Sequence, residues 1–100
     1  MKRYWLSYDL GLRGDYDSLY EWLDAKSAAE CGDSMATFKA DETPKQLAAE
    51  IKQVVGSQDK ARVYMVYRQD GGLRGEFVVG RRKRAPWYGM SEAIAGDDDE

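Results

Sequence analysis

Apolar and polar residues alternate from Arg3 to Asp9. Tyr4, Leu6 and Tyr8 fall on one side of an extended chain and Trp5, Ser7 and Asp9 on the other. Leu10-Gly11-Leu12-Arg13-Gly14 breaks the pattern as a loop. The period then lengthens: Tyr16, Leu19, Tyr20 and Leu23 follow the i, i+3, i+4, i+7 spacing of a helix that Asp15 or Asp17 caps and that ends near Lys26. A weak alanine-rich arm (Ser27 to Cys31) and a firmer one (Ser34 to Ala40) predict a hairpin turning at Gly32-Asp33. Thr43-Pro44-Lys45-Gln46 predicts a helix start with a capping box. The stripe Leu47, Ala48, Ile51, Val54 and Val55 and the terminator Gly56 complete that helix. Ala61 to Arg68 is a strand of β-branched and aromatic residues, Asp70-Gly71 a tight turn, and Glu76 to Arg81 a last strand. Ala85 to Gly89 is expected to be extended.

This order is β-α-β-β-α-β with one strand more. It predicts an α+β, ferredoxin-like antiparallel sheet with both helices on one face and an extra C-terminal strand. Trp5, Val66 and Tyr64, or their alternates, leave apolar side chains on both faces of the central strands, and two helices cover only one face. An uncovered apolar face marks an interface, so a homodimer or a protein partner is expected there unless Trp87 and Tyr88 fold back over it.

Composition narrows the chemistry. The chain has 100 residues, one domain's worth, taken here as residues 1–90 followed by an acidic tail, 91–100, expected to be disordered. Cys31 is the only cysteine, which excludes an internal disulfide and a cysteine-based zinc site. Histidine is absent, so histidine-containing triads and histidine metal sites are excluded, and an enzyme would rely on carboxylates, tyrosines, lysines or bound metal. No apolar segment suggests a leader or a membrane span, which makes the cytoplasm the default location. The net charge of −3 is uneven: the five acids from Glu92 to Glu100 account for it, and the rest of the chain carries +2. Arg81-Arg82-Lys83-Arg84, followed by Trp87 and Tyr88, is the most concentrated basic run. Cations there neutralise phosphates and aromatics stack on bases, although arginine and lysine also blunt sheet edges. Arg68 and Arg74 extend this run into a basic edge, and the acidic tail offers it an intramolecular competitor. Gly71 to Gly75 lacks the strand-to-helix setting of a phosphate loop.

Asp9 is the candidate for metal chemistry. A carboxylate at a strand end beside an interface can hold a divalent cation if a second subunit supplies another. The bland alternative is an aspartate that bonds its own backbone at a loop start. Arg3-Tyr4-Trp5-Leu6-Ser7-Tyr8-Asp9-Leu10, followed by a short loop and an amphipathic helix, resembles the opening of the second CRISPR-associated adaptation protein family. It is closer still to that family's small SinR-labelled bacterial homologues, which share the Ser-Tyr-Asp-Leu opening. The resemblance covers residues 3–68 in element order. It implies a ferredoxin-like dimer, a last strand free to reach across to the partner subunit, and association with RNA or DNA. In some relatives the aspartate matching Asp9 supports metal-dependent cleavage and in others it is not catalytic. A nuclease reading would place magnesium or manganese between two Asp9 carboxylates, with metal-bound hydroxide as the base. The hairpin departs from the family pattern: Ala28-Ala29-Glu30-Cys31 stands where those proteins carry arginine or glutamine. The alternative function is a non-catalytic interaction module that uses the exposed sheet face.

Overall fold

A computed structural model describes residues 1–56 and 60–91; most of the expected acidic tail lies outside them. The elements are β1 (Lys2–Asp9), α1 (Tyr16–Ala25), β2 (Ala29–Gly32), β3 (Met35–Ala40), α2 (Pro44–Val55), β4 (Arg62–Gln69) and β5 (Gly72–Val79). They form an α+β unit around one antiparallel sheet of order β2-β3-β1-β4-β5. The order is compatible with two interleaved βαβ units, since β3 separates β1 from β2. No helix among the described residues is long and apolar enough to cross a membrane.

Alternation decides which face the sheet buries. Tyr4, Leu6 and Tyr8 of β1 align with Phe38 and Ala36 of β3 and with Tyr67, Met65 and Val63 of β4. All of these join one core cluster with Leu19 and Leu23 of α1 and Leu47, Ile51 and Val55 of α2. Both helices therefore cover the same face, and each large side chain fully buried there contributes about 1.5–3 kcal/mol. Tyr20 of the expected α1 stripe stays half exposed, its ring against Tyr8 and Tyr16.

Local signals explain the element ends. The Thr43 hydroxyl accepts from the Gln46 N–H at 3.2 Å while Gln46 Oε1 accepts from the Thr43 N–H at 2.9 Å, which completes the expected capping box. Asp15 caps α1 by accepting from the Ser18 N–H at 3.0 Å. At the other end Ser27 adopts a φ of 56°, the Ala28 N–H donates to the Leu23 carbonyl and the Ser27 N–H to the Asp24 carbonyl. This is a Schellman stop made without glycine.

Three expectations need correction. The β2–β3 turn falls on Asp33-Ser34, one residue later than Gly32-Asp33, and Ser34 rather than Gly32 takes the positive φ. Gly32 pairs with Met35 instead, and the register slips between Glu30 and Gly32. The last strand begins four residues before the expected Glu76 and ends at Val79, because Asp70 (φ 53°) and Gly71 (φ 82°) form a tight hairpin that pairs β5 with β4 of the same chain at once. Residues 85–90 turn twice instead of extending: the Tyr88 N–H donates to the Ala85 carbonyl and the Met90 N–H to the Trp87 carbonyl.

Lys26 ties the end of α1 to α2 and to the approach to it. Its Nζ lies 2.9 Å from Glu42 Oε2 and 3.1 Å from Glu50 Oε1, and 5.4 Å from the centre of the Trp22 ring. Partial burial acts to lower the Lys26 pKa, but hydrogen bonds to Glu42 and Glu50 outweigh it and hold the ammonium above its ordinary value. The hydrogen bond from Lys26 holds the Glu42 carboxyl below the usual carboxylate range. A depressed folded-state pKa gives stability above the unfolded value that is lost as pH falls through the folded one. Stability is therefore expected to drop below pH 4.5 less steeply in Lys26→Met than in the wild type, as read by urea unfolding across acidic pH. Identical pH slopes would mean that the cluster contributes nothing.

Candidate nucleic-acid interface

The antiparallel register brings the end of β1, the start of β4 and the chain leaving β5 to one end of the sheet. Asp9 pairs with Arg62, and Val63 pairs with Val79. Asp9 is largely engaged there. Its Oδ1 accepts from the Gly11 N–H at 2.9 Å, the loop-starting aspartate turn, and its Oδ2 lies 3.2 Å from Arg62 Nη2.

Cations surround this pair. A depression of about 330 Å³ on the sheet face is lined by Ser7, Asp9, Arg62, Tyr64, Phe77 and Arg82. An adjoining one of about 520 Å³ runs around the sheet end, lined by Asp9, Lys60, Arg62, Gly80 and Arg81 among others. Gly80 makes this convergence possible. It takes a φ of 64°, and a Cβ there would overlap the Ala61 carbonyl oxygen, so the chain turns against the start of β4.

The basic run does not act as one patch. Arg81 and Arg82 reach the two depressions. Arg84 instead stacks over the Tyr88 ring at 4.6 Å, and Lys83 stands in solvent. Trp87 and Tyr88 remain 73% and 60% exposed, so they do not fold back over the sheet. Arg74 leaves the expected basic edge: it pairs with Tyr67 on the helix-covered face, whereas Arg68 pairs with Leu73 on the open one.

Sequence reading overlooked Lys60, Arg62 and Phe77. Arg62 was legible in principle, because it stands two residues before Tyr64 and so shares its face. Lys60 and Phe77 were not: Lys60 precedes β4 and meets the Asp9 end through the pairing of β1 with β4, and the place of Phe77 depends on the β4–β5 register and its irregularity at Val63/Tyr64.

The fit of a divalent cation follows from the donor set. The only carboxylate on the open face among the described strands is Asp9, and it already holds Arg62. No group of three or more metal-binding side chains occurs among the described residues. Within one chain this cation-lined end does not fit magnesium or manganese. Tyr8, beside Asp9, offers no base near neutral pH, because burial pushes its hydroxyl pKa up. The arrangement suits anion binding: guanidinium groups that direct N–H donors at phosphate, beside aromatic rings.

No family model matches the chain, and no curated protein and no solved structure matches it either.

Proposed function

We propose that this is a nucleic-acid-associated protein of ferredoxin-like fold that holds phosphates at the Asp9 end of its sheet. The observation that carries the reading is the meeting of Lys60, Arg62, Arg81 and Arg82 around two adjoining depressions beside Tyr64 and Phe77. The likeness of residues 3–68 to CRISPR adaptation proteins supports the same reading. The test is fluorescence anisotropy with labelled RNA and DNA over a salt series. Each phosphate contact adds roughly 0.7–0.9 to the slope of log affinity against log salt. Arg81→Gln with Arg82→Gln is expected to lower that slope by about 1–2. An unchanged slope, or no binding at low salt, overturns the assignment.

Cleavage is a separate part of the proposal. It would need magnesium or manganese held by Asp9 from each of two subunits, with Arg62 displaced. Assays of the same oligonucleotides with either metal decide it: cutting by the wild type that Asp9→Asn abolishes establishes a nuclease, and no cutting by either leaves a binding protein.

A second reading, an interaction module or homodimer built on the open face, is favoured by one observation. Trp5, Tyr64, Val66 and Phe77 share that face, and the Trp87-Tyr88 segment leaves it uncovered. Light scattering of the protein alone at micromolar concentration tests it. A monomer mass would set the homodimer aside.

A further inference from the structure

The open face carries more than apolar residues. Arg3, Trp5, Ser7 and Asp9 of β1 align there with Lys39, Thr37 and Met35 of β3 and with Val66, Tyr64 and Arg62 of β4. Arg68, Leu73 and Phe77 extend it onto β5. Four cations (Arg3, Lys39, Arg62 and Arg68) thus face one carboxylate, Asp9, which Arg62 already neutralises. Aromatic rings lie on three adjacent strands: Trp5, then Tyr64 on the diagonal beside its partner Val66, then Phe77 directly opposite Tyr64. The Tyr64 and Phe77 rings meet edge to face at 4.9 Å. Gly75 leaves room for this layout. A Cβ there would overlap the Tyr64 hydroxyl, so the Tyr64 ring lies along the sheet over β5.

We infer that this face is a stacking platform for single-stranded nucleic acid, with bases on Trp5, Tyr64 and Phe77 and phosphates on the surrounding arginines and Lys39. The inference rests on the proposed nucleic-acid association and names the form of substrate.

Charge decides between occupants. A second copy docked face to face would set against each other two faces of net positive charge, whose cations lie at both ends of an uncharged centre. A polyanion satisfies them. Bases within a duplex are stacked on one another and closed to these rings, whereas every unpaired base offers a π-face whatever its sequence. The track continues off the sheet, because Arg82 lines the same depression as Tyr64 and Phe77.

The experiment compares the full chain with Trp5→Leu, Trp5→Phe and Phe77→Leu, binding labelled oligodeoxythymidine, oligouridine and a mixed-sequence duplex. Phe77 is 42% exposed, so Phe77→Leu keeps the fold and decides the matter if Trp5→Leu does not fold. Single strands are expected to bind tighter than the duplex. Phe77→Leu and Trp5→Leu should each weaken them roughly 10-fold with the salt slope unchanged, while Trp5→Phe retains affinity. Duplex bound as tightly as single strand, with Phe77→Leu unaffected, overturns the platform and leaves phosphate binding at the sheet end standing. A chain that binds no single strand and forms a dimer that Phe77→Leu dissociates overturns it in favour of a second copy. No binding of any nucleic acid overturns it together with the proposed function.

Discussion

Gly80→Ala is expected to lower folding stability by about 2–4 kcal/mol and to loosen the basic end of the sheet at the same time. About 1–2 kcal/mol comes from holding an L-residue in the left-handed region that Gly80 occupies. The rest comes from overlap of the new Cβ with the Ala61 carbonyl oxygen and from crowding against Arg62 Cγ at 3.2 Å. A carbonyl bordering β4 yields less readily than the end of a flexible side chain, so the segment after β5 must swing away. Arg81 and Arg82 would then leave the depressions they share with Asp9 and Arg62. Urea unfolding gives the stability and anisotropy the binding: both the midpoint and the salt slope should fall. A variant with wild-type midpoint and slope would show that the turn at Gly80 does not position these arginines.

Phe38→Ala is expected to cost about 3–5 kcal/mol, a large share of the roughly 5–15 kcal/mol that stabilises a domain. Phe38 is 1% exposed and lies between two rings, 5.7 Å from Tyr4 in a stacked arrangement and 5.5 Å from Trp22 edge to face. Each neighbour is fastened elsewhere. The Tyr4 hydroxyl donates to the Glu42 carbonyl at 2.6 Å, and the Trp22 indole N–H donates to Glu50 Oε1 at 3.0 Å. With both held, the site collapses poorly and a cavity remains. Phe38 points to the helices, away from the open face, so the folded fraction should bind nucleic acid with an unchanged salt slope. A loss under 1 kcal/mol by urea unfolding would mean that these rings repack freely. Together the two variants separate what holds the sheet to its helices from what shapes the binding end.

Elements whose cause is local were legible along the chain. The alternation of Tyr4, Leu6 and Tyr8, the capping box at Thr43 and the Asp70-Gly71 hairpin turn each depend on residues a few positions apart, and all appear where the pattern puts them. The β2–β3 turn slipped by one residue because two neighbouring positions offered acceptable turn chemistry and pairing with β3 selected between them. The start of β5 was missed because Gly72 and Gly75 are poor strand formers; pairing with β4 through the tight hairpin overrides that weak preference.

For the candidate site the division follows the same physics. Composition alone removed histidine chemistry, an internal disulfide and a cysteine-based zinc site, and period-two alternation already placed Trp5 opposite Tyr4, Leu6 and Tyr8 while leaving the face of Tyr64 open. Strand order and register decided the rest. They set Arg62 against Asp9, folded Arg81 and Arg82 back to the same end, sent Arg74 to the other face, and aligned Arg3, Lys39 and Arg68 around the aromatic rings. Alternation tells which face a side chain takes, but only pairing across dozens of residues tells which neighbours it meets there.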